Sequence, residues 1–307
     1  MPLPPLPEPQ RFIERNAGLM RVLPTVVFLG SSLLGLNAAQ AASVLVRPFS
    51  RKHFRAFNRW AANLYWNWCV RLSELTHGVS VEFSGDDVPA GENAIVVSNH
   101  QQMPDITFLM FLARDKGRLG DMKWMLKDVI KYVPGVGWGL YFLDSFFVKR
   151  DWARDRATIE ATFSRIIEDG IPLWLMLFAE GTRLTPAKLA KSQEFARSRG
   201  LQPTAHVMLP RTKGFAASVQ GLRRHLDAVY DVTIGYEQGV PTLWQYIRGQ
   251  ARRAHLHVRR YPVGQLPQSE PELARWLQQR FLEKDRLLEY FYAHGRFPAQ
   301  EPAPARD

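Results

Sequence analysis

Short apolar runs alternate with longer, helix-like polar stretches from Val79 to Tyr292, and this alternation constrains the fold more than any other feature. Strands that alternate with helices form a parallel or largely parallel sheet with helices on its faces. The sequence therefore predicts an α/β fold with a largely parallel central sheet and flanking helices. The predicted helices are 105–114, 153–169 and 270–292, and the predicted strands are 79–83, 94–98, 145–148, 173–178, 207–209, 228–236 and 255–261.

The N-terminal part differs from the rest of the chain. Residues 1–10 contain five prolines and predict a disordered or polyproline-like leader. Residues 22–46 are 25 residues without a charge, and a helix of that length spans about 37 Å, against about 30 Å for the hydrocarbon core of a bilayer. The next apolar stretch, 54–75, mixes Trp and Tyr with Arg, as in helices at the headgroup level.

Four interpretations of residues 22–46 stay open. They could be a signal peptide cleaved after Ala41, a spanning helix, one arm of a monotopic helical hairpin, or part of a buried helix pair. The arginine-rich stretch that follows opposes translocation, which favours membrane attachment over cleavage. The heavier basic flank on the C-terminal side predicts that the bulk of the chain lies on the cytoplasmic side of the inner membrane.

Charge and composition indicate an anionic partner. Forty Lys and Arg against 29 Asp and Glu give a formal net charge of +11, which fits nucleic acid, a membrane surface or a phosphorylated substrate. Nine Trp, nine Tyr and eighteen Phe favour the membrane surface. The single cysteine, Cys69, excludes an intrachain disulfide and a cysteine-based metal cluster, and we expect it to be a small buried hydrophobe.

Common catalytic motifs are missing from the sequence. It contains no G-x-S-x-G, P-loop or H-E-x-x-H motif, so no serine or cysteine nucleophile is evident. His255 and His257 would share one face of a strand, where they could bind a metal or simply pack; we expect packing and no metal.

The run from Ile95 to Asp105, IVVSNHQQMPD, ends a predicted buried strand in Asn-His and places Asp105 five residues after His100. A side chain at the carboxyl end of a parallel strand lies where open α/β folds bind ligands. Asp105 could accept a hydrogen bond from one imidazole nitrogen, which would fix the tautomer and leave the other nitrogen as a general base. For an isolated spacing of this kind, a helix cap beside a solvated histidine is the commoner arrangement.

Three further runs place polar residues directly after predicted strands. FAEGTR, at 178–183, supplies a glycine that lets the backbone approach a ligand, and a threonine and an arginine suited to phosphate oxygens. FFVKR, at 146–150, ends a hydrophobic strand in two adjacent cations, and VMLPRTKG, at 207–214, is a strand stopped by proline and followed by basic residues. Each run alone is weak evidence of a functional site, but the order and spacing of the runs together are strong evidence of one.

NHQQMPD, FFVKR, FAEGTR and VMLPRTKG, in this order, resemble the four sequence blocks of the glycerolipid acyltransferases, the 1-acylglycerol-3-phosphate acyltransferases and their relatives. The resemblance covers about residues 80–298, and the later segments are similar to the branch with lysophosphatidate and lysocardiolipin acyltransferases. It implies that His100 and Asp105 are the catalytic pair and that Pro210 belongs to a segment linked to acyl-donor binding. It also implies a glycerol phosphate site made by Arg150, Glu180, Gly181, Thr182 and Arg183.

The resemblance implies transfer of a fatty acyl group from a thioester, acyl-CoA or acyl-acyl carrier protein, to the free hydroxyl of 1-acylglycerol-3-phosphate, giving phosphatidic acid. We expect no cofactor beyond these co-substrates, an anionic membrane surface as partner, and no nucleic acid. Residues 1–77 would hold the leader and membrane-associated helices, and residues 78–307 the acyltransferase domain. Another lysophospholipid acceptor, such as lysophosphatidylglycerol or lysocardiolipin, and a non-catalytic adaptor that binds anionic lipid stay open as alternatives.

The sequence departs from the family pattern at two places. Ala179 stands where the third block usually has proline, which should change the rigidity of the turn rather than the chemistry. Gln101 and Gln102 replace the commoner polar or basic pair after the histidine, which bears on headgroup preference. After Ser98 no apolar run is long enough to cross a bilayer, so the chain resembles a bacterial-type member.

Overall fold

The computed structural model of the chain describes residues 5–8, 11–149 and 152–299. Its strands are β1 Ser80–Gly85, β2 Ala94–Ser98, β3 Met122–Lys127, β4 Phe146–Val148, β5 Trp174–Phe178, β6 Ala228–Gly235 and β7 Arg253–Pro262. They form one sheet in the order β1-β7-β6-β2-β5-β3-β4. Each neighbouring pair is parallel except β6–β7, which is antiparallel. The predicted α/β fold with a largely parallel sheet is therefore confirmed.

Helices cover both faces of the sheet. In the described residues the α-helices are α1 Phe12–Ser43, α2 Arg51–His77, α3 Asp105–Asp115, α4 Val136–Phe142, α5 Trp152–Glu168, α6 Pro186–Ser198, α7 Thr212–Leu222, α8 Leu243–Ile247 and α9 Glu270–His294. Successive side chains of a strand point to opposite faces. Val96 of β2 therefore lies in one core cluster with Phe108 of α3, while Ile95 lies in the other with Phe215 of α7 and Phe281 of α9.

Helices α1 and α2 pack side by side as an antiparallel hairpin. The rings of Phe28 and Trp68 lie 5.3 Å apart, and the Nδ2 of Asn58 donates to the Oγ of Ser43 at 3.0 Å. By length and composition residues 22–46 could cross a bilayer, but only 11% of their most apolar 18-residue window is buried in the protein. A core helix would be mostly buried, so burial within the fold does not account for this apolar stretch.

The predicted strand at 207–209 is wrong, because this segment is a loop. The amide of Met208 donates to the Oε2 of Glu180 at 3.0 Å, and the amide of Leu209 donates to the Oγ of Ser192 at 2.9 Å. Backbone groups held by side chains in this way are not available to a strand ladder.

Residues 5–8 of the leader, predicted to be disordered or polyproline-like, make defined contacts, so the disordered alternative is wrong for these residues. The amide of Leu6 donates to the carbonyl of Val240 at 3.1 Å, and the Nε2 of Gln245 donates to the carbonyl of Leu6 at 2.6 Å. The Leu6 side chain is 7% exposed. The rest of the leader lies outside the described residues.

Strand β3 was not predicted because a lysine interrupts its apolar pattern. Lys123 is 4% exposed, and its Nζ donates to the carbonyl of Leu143 at 3.0 Å. Burial lowers the pKa of Lys123, while the charges of Asp144 and Asp121 act in the opposite direction. Helices α4, α6, α7 and α8 were also missing from the prediction, whereas the remaining predicted elements of the sheet and its helices lie close to their observed positions.

His257, on β7, is buried as an imidazole with a depressed pKa. Its ring lies 5.3 Å from that of Phe297, and the Oγ of Ser84 lies 3.1 Å from its Nδ1. Burial, with the nearby charges of Arg259 and Lys284, lowers the pKa of His257 to about 4. An unfolded chain binds this proton near the ordinary histidine pKa of about 6.5, so between these two values the unfolded state holds more protons than the folded state. Acidification through this window therefore destabilises the fold.

We expect His257→Gln to make the protein less sensitive to acid. The measurement is the thermal unfolding midpoint of the detergent-solubilised protein between neutral pH and about pH 5. The wild type should lose stability over this range, and the variant should lose less. His294→Gln, at an exposed histidine near the end of α9, is the matched control. An equal acid slope in the wild type and His257→Gln would contradict this account.

Candidate active site

Three adjacent parallel strands end at the same edge of the sheet. Ser98 of β2 is in register with Phe178 of β5 and with Val232 of β6. Strand β2 leads into His100, β5 into Glu180, and β6 into Tyr236. Carboxyl ends of parallel strands are where open α/β folds place their ligand sites. The sheet order therefore brings together side chains from three distant parts of the sequence.

His100 and Asp105 form the hydrogen-bonded pair that the sequence predicts. The Nδ1 of His100 lies 2.9 Å from the Oδ2 of Asp105, and the two residues are 9% and 0% exposed. The ring of Phe178 stacks on the imidazole at a centroid distance of 3.9 Å. A carboxylate that accepts from Nδ1–H leaves Nε2 as the nitrogen that can accept a proton. The pair thus has the geometry of a general base held by its partner.

The carboxylate of Asp105 accepts further hydrogen bonds. Its Oδ2 also accepts from the amides of Gln101 and Gln102 at 2.6 and 2.9 Å, and its Oδ1 accepts from the hydroxyl of Tyr236 at 2.5 Å. Asp105 is the first residue of α3, where the helix dipole favours a negative charge. Sequence reasoning missed Tyr236, because only the register of β2 with β6 shows that it lies beside Asp105.

Glu180 is buried and binds backbone amides. Its Oε1 accepts from the amide of His100 at 2.7 Å, and its Oε2 accepts from the amide of Met208 at 3.0 Å. Burial raises the pKa of Glu180 to about 8, although the two amides act to lower it. The side chain therefore ties the backbone of His100 to the loop before Pro210. Its contact with substrate stays a prediction.

Gly181 lies where the loops after β5 and before α7 approach each other. Its φ of +71° is in the left-handed region, and an ideal Cβ there would lie 2.9 Å from the Cδ of Arg211. The amide of Arg211 donates to the carbonyl of Ala179 at 2.7 Å. Pro210 is buried, so it helps to fix this loop, and its link to an acyl donor stays a prediction.

Exposed cations surround this edge of the sheet. The Nη1 of Arg183 donates to the Oε1 of Gln102 at 3.1 Å, so Arg183 lies beside the turn that carries His100. The Nζ of Lys188 donates to the Oγ1 of Thr182 at 2.7 Å. Arg183 and Lys188 are both exposed, and the sequence prediction did not include Lys188. The N–H groups of these two side chains can donate hydrogen bonds to anionic oxygens such as those of a phosphate.

The two glutamines after His100 have different surroundings. Gln101 is buried, and its Nε2 donates to the carbonyl of Ile234 at 3.0 Å and to the hydroxyl of Tyr292 at 3.1 Å. Gln101 thus joins the turn to β6 and to α9, while Gln102 faces Arg183.

Arg150, the other predicted phosphate contact, lies outside the described residues. Its neighbour Lys149 is exposed and follows β4, which is separated from β5 by β3. The implied glycerol phosphate site that combines Arg150 with Arg183 therefore stays a prediction.

Two other groups of potentially reactive side chains, a carboxylate–histidine cluster and the cysteine Cys69, lie away from this edge. In the described part of the chain, Glu82, Glu237 and His255 place one ligand atom each within 4.8 Å of one another. Arg253 lies 3.6 and 3.8 Å from the same two carboxylates and already supplies their positive charge. Burial raises the pKa of Cys69 to about 12, which disfavours the nucleophilic thiolate.

An α/β protein that holds a histidine–aspartate pair at the carboxyl edge of its sheet has the architecture of an enzyme. The family model described as Acyltransferase matches residues 80–237, and that described as Acyltransferase C-terminus matches residues 245–306. The chain therefore belongs to the acyltransferase family and is an acyltransferase, as the sequence predicts.

Curated relatives support this assignment. The 1-acyl-sn-glycerol-3-phosphate acyltransferase 2 of Brassica napus is 34% identical over 287 residues, which cover 91% of this chain and 74% of that protein. The human 1-acyl-sn-glycerol-3-phosphate acyltransferase gamma is 34% identical over 298 residues, which cover 94% of this chain and 78% of that protein. The crystal structure of the 1-acyl-sn-glycerophosphate (LPA) acyltransferase PlsC from Thermotoga maritima shares the fold, with a TM-score of 0.55 at 17% identity over 93% of this chain and 99% of that one.

We expect Tyr236→Phe to lower kcat about tenfold with little change in KM, because one donor to a buried carboxylate is lost and such bonds contribute about 1.5–3 kcal/mol. Tyr230→Phe is the matched control, since Tyr230 lies on β6, the strand that leads into Tyr236, but its hydroxyl donates to Glu92. The measurement is kcat, KM and the pH–rate profile of both variants. Equal kcat in Tyr236→Phe and Tyr230→Phe would show that Tyr236 does not position Asp105.

Proposed function

We propose that this protein is a membrane-bound acyltransferase that moves a fatty acyl group from an acyl thioester to 1-acylglycerol-3-phosphate, giving phosphatidic acid. The observation that carries the proposal is the His100–Asp105 pair at the carboxyl edge of the sheet. The names of the relatives, which are 1-acyl-sn-glycerol-3-phosphate acyltransferases, support this acceptor.

In the proposed mechanism, the Nε2 of His100 takes the proton from the free hydroxyl of the acceptor as its oxygen attacks the thioester carbonyl. Asp105 stays ionised and stabilises the imidazolium, and its other hydrogen-bond donors hold it in place. The C–O bond forms, the C–S bond breaks as the tetrahedral intermediate collapses, and the thiolate of CoA or of acyl carrier protein leaves. No covalent acyl-enzyme is needed, which agrees with a sequence that lacks an evident nucleophile.

Basic residues would hold the phosphate of the acceptor. Arg183 is exposed beside Gln102, and Gly181 and Thr182 precede it at the end of β5. A guanidinium can bind a phosphate through two parallel hydrogen bonds, which an ammonium cannot. We assign the acceptor phosphate to Arg183, with Arg150 as the second cation.

The helical hairpin would hold the enzyme on the membrane, with the catalytic domain on the cytoplasmic side of the inner membrane. Helix α1 is largely unburied over its apolar stretch and runs antiparallel to α2. Helix α2 is in turn attached to the α/β domain, since Arg55 lies 2.7 Å from Asp169 and Arg59 lies 2.5 Å from Asp121. This attachment favours a hairpin that enters one leaflet over a helix that crosses both.

The experiment that tests the acceptor is a transfer assay with a panel of lysophospholipids. The full-length protein is given lysophosphatidate, lysophosphatidylglycerol or lysocardiolipin, each with acyl-CoA and with acyl-acyl carrier protein. We expect the highest kcat/KM for lysophosphatidate. A higher value for another acceptor would replace the proposed substrate, and the absence of transfer to all of them would remove the proposed activity.

We expect His100→Ala to lower kcat by about a hundred- to ten-thousandfold, because a general base contributes that much. Circular dichroism and the thermal unfolding midpoint check that the fold is intact. His225→Ala, at a histidine whose ring bonds the carbonyl of Ile171 away from this edge, is the control and should keep its activity. Near-normal turnover by His100→Ala would contradict the proposed role of His100 as general base.

We expect Arg183→Ala to lower kcat/KM for lysophosphatidate about ten- to a hundredfold, from charge-assisted bonds of about 1.5–3 kcal/mol. Much of the loss should appear as a higher KM for the acceptor, with the donor KM changing less. The matched control is Arg197→Ala. Arg197 is an exposed arginine near the C-terminal end of α6, whereas Arg183 lies just before the start of that helix. If Arg183→Ala discriminates against a phosphate-free monoacylglycerol as strongly as the wild type does, Arg183 does not bind the phosphate.

A further inference from the structure

The first part of the connection between β3 and β4, residues 128–142, exposes apolar and aromatic side chains. All of its exposed residues are apolar or aromatic, and we call these side chains the aromatic surface: Val129, Tyr132, Val133, Pro134, Val136, Trp138 and Tyr141. Tyr132 is 69% exposed, Tyr141 is 61% exposed and Trp138 is 46% exposed. Single exposed apolar residues are common on proteins, but a contiguous group of them marks an interaction surface.

Residues 128–142 carry two charged side chains, which lie beside the aromatic surface and pair with each other. The Nζ of Lys131 lies 2.7 Å from the Oδ1 of Asp128. The same Nζ lies 5.0 Å from the centre of the Tyr132 ring. Exposed Lys127 and Lys149 lie at the neighbouring carboxyl ends of β3 and β4. Aromatic side chains bordered by cations are typical of a protein surface in contact with anionic headgroups.

The aromatic surface is continuous with α1. A Cβ on Gly135 would lie 2.8 Å from the Cδ2 of Leu33, and one on Gly139 would lie 3.5 Å from the Nδ2 of Asn37, so α4 packs closely against α1. Between them is a cavity of about 480 Å³, whose lining includes Leu34, Ala38 and Ala41 of α1 and Tyr132, Trp138, Tyr141 and Phe142 of the connection. Leu34 is itself 56% exposed. The exposed apolar side of α1 therefore extends onto the α/β domain.

We propose that the aromatic surface is a second membrane-contacting surface, which the α/β domain supplies and which inserts into the headgroup region of an anionic phospholipid bilayer. This inference rests on the proposed membrane attachment and adds to it a contact outside the N-terminal helices. Helix α4 has seven residues, which is too short to cross a bilayer, so the contact is interfacial. Trp and Tyr suit this position because each has an apolar body and a polar tip.

A bilayer accounts for this surface better than a protein partner does. The surface adjoins a 25-residue apolar stretch that is long enough to enter a membrane, so both can contact the same lipid phase. The net charge of +11 and the flanking lysines complement an anionic lipid surface.

Site-specific labelling tests the contact directly. Cys69 is the only cysteine, so Cys69→Ser gives a background in which Trp138→Cys can carry an environment-sensitive fluorophore. The matched control is Trp244→Cys, because Trp244 is 48% exposed on α8. The full-length protein is mixed with vesicles of phosphatidylcholine and phosphatidylglycerol in equal parts that contain nitroxide-labelled lipid. We expect quenching of the label at position 138 and none at position 244.

Substitution tests the consequence for activity. The triple variant Tyr132→Ser, Trp138→Ser, Tyr141→Ser should bind the same vesicles about tenfold more weakly and acylate vesicle-embedded lysophosphatidate correspondingly more slowly. Its rate on the acceptor in detergent micelles should equal that of the wild type, which also shows that it folds. A control triple variant removes three aromatic side chains of similar exposure elsewhere, with Phe83→Ser, Phe195→Ser and Trp244→Ser, and should behave as the wild type in both assays.

The outcomes separate this inference from the proposed function. An unquenched label at position 138, on a Cys69→Ser background that binds vesicles and acylates lysophosphatidate, overturns the inference alone. A triple variant that binds vesicles normally but changes its oligomeric state also overturns it, since the surface would then be a protein contact. A wild type that acylates no lysophospholipid in micelles overturns the proposed activity, while the quenching result still decides the membrane contact.

Discussion

The buried carboxylate of Asp105 is the constraint on which the active-site edge depends. An ionised carboxylate without partners is very costly in a protein interior, so its donors must be supplied by the fold. They come from the turn at 101–102, from His100 and from Tyr236 at the end of β6. The turn, the start of α3 and the register of β2 with β6 must therefore form together. The orientation of His100 is thus a consequence of the whole sheet rather than of a local motif.

A second buried charge attaches the C-terminal helix to the same strands. The Nζ of Lys284, on α9, lies 2.6 Å from the Oδ1 of Asp231 and donates to the carbonyl of Val232 at 2.6 Å. Burial lowers the pKa of Lys284, and Asp231 acts against that shift. Removing one member of a buried pair leaves an uncompensated charge, which costs far more than losing a surface pair. The region matched by the Acyltransferase C-terminus model therefore packs in one core with the sheet. Its Lys284 also pairs with a carboxylate of β6.

The sequence predicts what depends on local pattern. Apolar runs such as 94–98 identify the central strands because these are buried on both faces. The spacing of His100 and Asp105 allowed a pair, but the pair was predicted from the resemblance to the family's first sequence block. Contacts between distant segments could not be predicted, as for Tyr236 beside Asp105. Two further errors involve buried polar groups. Strand β3 was not predicted because the buried Lys123 interrupts its apolar pattern. The segment 207–209 was predicted as a strand, but its amides donate to side chains instead of to a neighbouring strand. In these places tertiary partners override the local pattern.

The order of the strands relates the proposed membrane contact to the chemistry. Strands β2, β5 and β3 are neighbours and parallel, so their carboxyl ends lie along one edge. Strand β2 leads to His100, β5 leads to the loop with Arg183, and β3 leads directly into the aromatic surface. A lysophospholipid presents its headgroup and free hydroxyl at the same depth of the bilayer at which Trp and Tyr side chains reside. A bilayer in contact with the aromatic surface would therefore present the acceptor to the edge of the sheet that carries the general base. Because α4 packs against α1, the proposed contact beside β3 and the apolar side of α1 would face the same lipid surface, and together they would hold this edge of the sheet toward the lipid.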